Sequence, residues 1–349
     1  MSLGIVKQTK LWDIAKDRLS PKDILEIEQA CNDAEDLLSR VTDTFPTYTL
    51  HDARHAKNVC DIMAKLLGEH INIITGLEAA FLMLSAFYHD VGMVYTTDEK
   101  ESVLKSNAFE SFCNKHLSVK NKIALRGRTV PEDLAEWFFR SIHPQRMDRI
   151  PEIQVNDIPI KQELMTICKS HGNPVVQLIS REYKDLIDFD KESADLVFCA
   201  ILLRIADLLD FDQTRSPDIL YSYLDLKNAN SKKYEESKRE FIKHRESLGF
   251  VFPKTRRGEY KIRFNAICEN IEIENDIRGF LDVIQRELRE CSQLLLRYTS
   301  RLNANIIPIS IELKDSYGKN YQYGQYLFTV EQDCSAPSFC TREKVSKGR

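Results

Sequence analysis

No CxxC pair, no glycine-rich phosphate loop of the GxxxxGK kind and no long apolar run occur in this chain. Each absence closes a class. Nine cysteines without paired spacing, several inside apolar helical stretches, exclude a zinc ribbon or a disulfide framework and read as reduced core thiols of a cytosolic protein. No apolar segment approaches the roughly 20 residues that cross a bilayer, and no leader precedes the first helix, so a soluble, cytoplasmic protein without a membrane partner is expected. An excess of one charge is lacking too. A net charge of -4 gives no overall attraction to a polyanion, and no aromatic-basic groove is visible, so nucleic acid is not an expected partner. What remains is length and apolar content: 349 residues, 43% hydrophobic, suffice for one large domain and an accessory piece.

The stretch Ala79 to Phe87 is apolar nearly all round, as in a buried helix, and it runs into His89-Asp90, with Gly92 as its stop signal. An imidazole and a carboxylate side by side in a core are costly unless a cation compensates both. Partners for them lie on either side. Upstream, His51-Asp52-Ala53-Arg54-His55 opens a helix expected over 52–68, whose stripe continues through Val59, Ile62, Met63 and Leu66. If the helix includes both histidines, they share a face. Downstream, Ala200 to Asp210 is a second strongly apolar helix, with Asp207 on it. Two carboxylates and two imidazoles on three apolar helices call for a metal ion.

In this order, His55, then His89-Asp90, then Asp207, the chain resembles the HD-domain metal-dependent phosphohydrolases over roughly residues 40–215. The resemblance implies a mainly α fold with an HD-type helical core, and a metal set of His55, His89, Asp90 and Asp207. The segment around His51 and His55 is also similar to the helix of cyclic-nucleotide phosphodiesterases in which a first histidine protonates the leaving group and a second binds metal. That likeness makes His51 catalytic beside Asp90. Read alone, His51 is equally a helix cap or a surface residue. In binuclear members, additional histidines hold a second ion that the first aspartate bridges. His143, after a helix over 132–142, and His171, after a helix over 161–170, match in order; read alone, each is a C-terminal cap.

Phosphate needs positive charge, and Arg54, Arg146, Lys169 and Arg204 are the substrate-binding candidates, with solvent or a neighbouring acid as the alternative for each. Asp210 reads as a support to the ligands or as a partner of Arg215. His70, His116 and His244 lie in polar surroundings and read as surface residues.

Organisation follows from composition. Residues 1–45 form a helical lead-in, with Ser20-Pro21 starting a helix, and 46–225 the HD-type domain. Within it, 94–130 is polar and irregular with a helix near 108–117, either a lid or a solvated excursion. Residues 226–325 make a small α+β appendage: a charged run over 226–247, a strand over 260–267, a helix over 277–302 and a strand over 306–313. The tail, 326–349, is expected to be disordered. This layout is similar to HD modules at the N-terminus of bacterial proteins that continue into an Hsp90-type ATPase domain, although no ATPase motif is present here.

The expected function is metal-dependent hydrolysis of a phosphomonoester or phosphodiester, a nucleotide or cyclic nucleotide above all. One or two divalent ions, Mn²⁺, Fe²⁺, Zn²⁺, Co²⁺ or Mg²⁺, would suit the donor set. The alternative is a non-catalytic metal- or nucleotide-sensing or scaffold module that docks a protein partner through the C-terminal region.

Overall fold

The computed structural model describes residues 4–46, 48–116, 120–121, 123–124, 130–183, 187–189, 192–217, 232–252, 260–268, 270–298, 311–316, 321–322 and 325–334. Its first helices are α1 (Lys10–Arg18), α2 (Pro21–Leu38), α3 (Ala53–Leu67) and α4 (Gly76–Tyr88). Ser20 caps α2 by accepting from Asp23 N, with Pro21 at the first helical position. Helix α4 is the axis of the fold. A reciprocal Thr75/Glu78 capping box starts it, and every one of its 13 residues is buried beneath α1, α2, α3 and two later helices. Hence the absence of a polar stripe in its sequence. It ends at Tyr88 with His89 as C-cap, before a short 3-10 turn over Val91–Met93. Gly92 therefore does not stop the helix; it allows another turn to come close, as described below.

Two further helices, α5 (Thr97–Leu104) and α6 (Asn107–Lys115), lie in the segment expected to be irregular, α6 overlapping the helix expected near 108–117. Helix α5 escaped the periodicity because it buries none of its residues; only its Thr96/Glu99 capping box marks it. The remainder of that segment, 117–119, 122 and 125–129, lies outside the described residues. Then come α7 (Glu132–Ile142), a two-stranded hairpin of β1 (Gln154–Val155) and β2 (Ile158–Pro159), and α8 (Lys161–Ser170). The hairpin turns on Asn156 and Asp157, both at positive φ (54° and 62°), the backbone that a tight two-residue turn demands. A second small hairpin, β3 (Ile187–Phe189) and β4 (Glu192–Ala194), leads into α9 (Leu196–Leu209), which Asp195 caps through Phe198 N.

The C-terminal part contains α10 (Lys232–Glu246), β5 (Ser247–Val251), β6 (Tyr260–Cys268), α11 (Ile271–Tyr298), β7 (Ile311–Ser316), β8 (Tyr321–Gln322) and β9 (Gln325–Cys334). The strands form an antiparallel sheet in the order β5-β6-β9-β7, with β8 also on β9. Gln325 to Cys334, expected in large part to lack order, is thus the strand between β6 and β7, paired from Tyr260↔Cys334 to Cys268↔Tyr326. Its polar second half shows no alternation; pairing on both edges fixes it. Residues 218–231, across the expected boundary at 225, the start of the strand expected over 306–313, and the tail from 335 lie outside the described residues.

The architecture is mainly α, with a helical core and an α+β appendage that is not insulated from that core. On α11, Ile273, Ile277, Leu281, Ile284, Leu288, Cys291 and Leu295 form a buried stripe, and the helix packs on α9, so one apolar core runs from Val6 to Leu295. His244 also departs from expectation. It is buried on α10, its ring edge-on to Phe211 with centroids 4.6 Å apart, because α10 lays that face on the core. No single helix among the described residues is long and apolar enough to cross a membrane.

Candidate metal centre

Four helix ends and one helix start deliver the polar cluster. Asp52 is the N-cap of α3, its carboxylate accepting from Arg54 N and His55 N, so His55 enters on the first turn and His51 stays outside the helix. The two histidines therefore do not share a helical face. His89 and Asp90 follow α4, His143 follows α7, His171 follows α8, and Asp207 lies in the last turn of α9.

These side chains converge in two groups joined by one carboxylate. His55 Nε2 lies 3.2 Å from His89 Nε2, 3.3 Å from Asp207 Oδ1 and 3.5 Å from Asp90 Oδ2. His89 Nε2 is 3.3 Å from Asp90 Oδ2 and 3.6 Å from Asp207 Oδ1. The other oxygen of Asp90, Oδ1, is 3.3 Å from His143 Nε2, which is 2.9 Å from His171 Nε2. Donors bonded at about 2.1 Å to one divalent ion stand roughly 3.0 to 3.4 Å apart, in octahedral or tetrahedral geometry. The distances within the two groups, 2.9 to 3.6 Å, bracket that spacing.

The far side of each ring supplies an independent test. The Nδ1 of His55 is 2.6 Å from Asp210 Oδ2, that of His89 is 2.9 Å from Ala86 O, that of His143 is 2.6 Å from Arg140 O and that of His171 is 2.6 Å from Cys168 O. At His89, His143 and His171 the carbonyl acceptor keeps the proton on Nδ1 and turns the Nε2 lone pair inward, the arrangement a metal-ligating imidazole requires; at His55 the Asp210 carboxylate acts in the same sense, with the Arg215 guanidinium beside the same nitrogen at 2.6 Å. Nε2 lone pairs facing one another at 2.9 to 3.2 Å repel unless a cation or proton lies between them. The residues fit one or two divalent ions.

His51 differs. Its Nδ1, not its Nε2, faces the cluster, 2.8 Å from Asp90 Oδ2, and the Arg215 guanidinium stands 3.2 and 3.3 Å from its two ring nitrogens. It adjoins the ion site without sharing the ligands' orientation. Arg215 itself is a buried member of the site that sequence reasoning met only as a partner of Asp210. Its Nη1 is 3.3 Å from Asp210 Oδ2, and Asn58 donates to Asp210 Oδ1 at 3.1 Å. The only signal for it was its place five residues beyond Asp210.

The four basic candidates part company. Arg54 is exposed at the rim and pairs with Asp52, while Lys169 is half-buried near the end of α8. Arg146 donates to Gly92 O at 2.6 Å and Val94 O at 2.9 Å, meets Glu99 at 3.1 Å and lies over the Tyr95 ring. Arg204 is buried against Glu287 and two backbone carbonyls. The last two spend their donors on the scaffold rather than facing the cluster.

Electrostatics follow from the packing. Burial opposes the Asp90 carboxylate, yet His89 and His51 outweigh it and hold Asp90 well below the usual range. Asp207 is likewise lowered against its burial by His55 and His89, and a quarter of its side chain, 26%, stays open to solvent. Asp210, buried against His55 and Arg215, is lowered as well. Because Asp210 orients His55, Asp210→Asn is expected to weaken the first ion roughly 10- to 100-fold without unfolding the chain; competitive Mn²⁺ titration of the two proteins measures it.

Burial lowers His51 to about 4, His171 to about 3 and His244 well below its ordinary value. Neutral in the fold, each binds a proton on unfolding below about pH 6.5, so these three draw stability down as pH falls. His89 works in the opposite sense: burial disfavours its charge, but Asp90 and Asp207 raise it, so its contribution is present below about 6.5 and is lost as pH rises through its folded value. The aspartates' contributions disappear only on acidification below about 3.9. Three against one, the metal-free protein should melt at a lower temperature at pH 5 than at pH 7. Thermal unfolding in chelator checks this, and a midpoint that rises on acidification would show that His89 dominates.

A family model described as HD-CE matches residues 45–290, from just before His51 through most of α11. No curated protein and no solved structure matches the chain.

Proposed function

The chain belongs to the HD-CE family, and from that premise we propose that it is a metal-dependent phosphohydrolase acting on a phosphomonoester or phosphodiester, with a nucleotide or cyclic nucleotide as the substrate class. The observation that carries the reading is the bridging position of Asp90, with Oδ2 in one donor group and Oδ1 in the other. His55, His89, Asp90 and Asp207 would hold the first ion; Asp90, His143 and His171 the second. Bound there, the ions supply Lewis-acid polarisation of a phosphoryl oxygen and a water of lowered pKa.

The chain's own groups do the rest. Asp90 fixes the separation of the two positions, and the Nδ1 acceptors keep the ligand rings from turning. His51 would deliver a proton to the departing oxygen. Its ring is neutral at pH 7, lowered by burial, so the negative charge of a bound phosphate is needed to raise it into the working range. Arg54, exposed at the rim, is the candidate for the substrate's outer portion. The nucleotide assignment draws on the likeness of the His51 to His55 segment to cyclic-nucleotide phosphodiesterases, and kinship to HD modules joined to Hsp90-type ATPases stands as a proposal beside it.

Product release from a panel of nucleotides, cyclic nucleotides and an aryl phosphodiester, with Mn²⁺ supplied, tests the reading. Turnover abolished by chelation is expected. If metal binds and no member turns over, the hydrolase reading falls, and a sensing or scaffold role with a protein partner at the C-terminal region takes its place.

A further inference from the structure

Arg204 sits on α9 one turn before Asp207, and its guanidinium links three parts of the fold. Nε donates to Glu287 Oε1 on α11 at 2.5 Å, and Nη1 donates to Ser170 O and, at 2.6 Å, to Asn173 O. The ion pair is enclosed, with side-chain exposures of 7% for Arg204 and 16% for Glu287. The two carbonyls bracket His171 and Gly172. Ser170 closes α8 and its carbonyl also accepts from Asn173 N at 3.0 Å, so Nη1 adds a second hydrogen bond there and reaches across the turn that follows the helix.

We propose that Glu287, acting through Arg204, is a positioning residue for His171, and that the long accessory helix thereby sets how tightly the second ion is held. The inference rests on the reading of Asp90, His143 and His171 as an ion site. A guanidinium buried against carbonyl dipoles alone is short of a counter-charge. Glu287 provides it, so the guanidinium stays in place and keeps the two carbonyls tied together. On the opposite side the same turn is seated against Pro144, since Gly172 lies too close to the proline ring for any side chain. Gripped from both sides, the turn presents His171 Nε2 at 2.9 Å from His143 Nε2. Removing the carboxylate frees one grip. The first donor group meets this turn through one edge-on ring contact, His89 against His171 with centroids 5.2 Å apart, and has no hydrogen bond or ion pair with Glu287, so the larger effect falls on the second group. Helix α11 also packs on the 175–179 turn just beyond, and a shift of α11 away from α9 would loosen the same ligand.

The test is Mn²⁺ binding to the full chain by equilibrium dialysis with electron paramagnetic resonance, comparing wild type with Glu287→Gln and Arg204→Lys. Glu287→Gln keeps shape and removes charge; Arg204→Lys cannot reach the carboxylate and both carbonyls together. Two ions per wild-type chain are expected, with the second weakened roughly 10- to 100-fold in both variants, the first affected much less, and recovery in Glu287→Asp. Asp276→Asn, which breaks the exposed Arg239–Asp276 pair between α10 and α11, should leave both ions as they are. Equal affinity for two ions in wild type and variants would overturn the inference while leaving the binuclear reading intact. Equal weakening of both ions would overturn it as well, by showing general loosening. A single ion in the wild type would overturn the second site itself and the inference with it.

Discussion

Asp90→Asn is expected to strip both ions from the protein and to reduce phosphoester turnover to background. The residue is 4% exposed, and its two oxygens serve different groups: Oδ2 is within 2.8 to 3.5 Å of His51, His55 and His89, and Oδ1 is 3.3 Å from His143. Asparagine preserves the volume, so the core repacks little. One oxygen becomes an amide nitrogen, which cannot ligate, and the negative charge that the two proposed ion positions would share is gone. No other ligand has this double effect; His171→Ala should remove the second ion alone. Metal content after dialysis, turnover, and the thermal shift on adding Mn²⁺ report it together. At free ion near 100 times its Kd, one bound ion adds about 2.7 kcal/mol to wild-type stability, and the variant should gain none of it. A folded Asp90→Asn protein that retained two ions would sink the bridging assignment.

The parts of this site that were legible in the sequence are those in which polarity violates its surroundings. His89-Asp90 at the end of α4 and Asp207 on α9 stand out because the helices carrying them are otherwise apolar. Helix ends with strong punctuation were legible too, which is why Glu132 to Ile142 and Lys161 to Ser170 match the helices α7 and α8. What could not be read is whatever depends on which elements meet. Arg146 and Arg204 look like phosphate ligands by proximity in sequence, yet each faces carbonyl oxygens and an acid from elsewhere in the chain. Arg215 and Asp210 acquire their places beside His51 and His55 only when the end of α9 returns to α3, more than 150 residues away in sequence. His244 has polar neighbours in sequence and apolar ones in space. Strand β9 carries no periodic signal of its own in its second half because its place is fixed by two partner strands.

Gly92→Ala is expected to cost the fold about 3 kcal/mol and to disorganise both donor groups, since it overfills the point where two ligand-bearing turns touch. A Cβ at residue 92 would lie 2.1 Å from His143 O, 3.0 Å from His143 C and 3.2 Å from Arg146 O. These are backbone atoms, so no rotamer change relieves the overlap; one turn must move. Arg146 resists the movement by clamping Gly92 O and Val94 O from the His143 side. The displacement therefore passes to Asp90 on one turn and His143 on the other, and with them to both ion positions. Gly172→Ala makes the complementary case. Its Cβ would fall 2.2 Å from Pro144 Cγ and 2.4 Å from Pro144 Cβ, atoms of a rigid ring, but the turn it disturbs carries His171 and not Asp90. Gly172→Ala should then release the second ion and keep the first, whereas Gly92→Ala weakens both. Chemical denaturation of the metal-free proteins gives the stability cost and Mn²⁺ titration gives the ions. A Gly92→Ala protein with wild-type midpoint and two tight ions would mean that the two turns do not need to touch, and that the spacing between the donor groups is set by Asp90 alone.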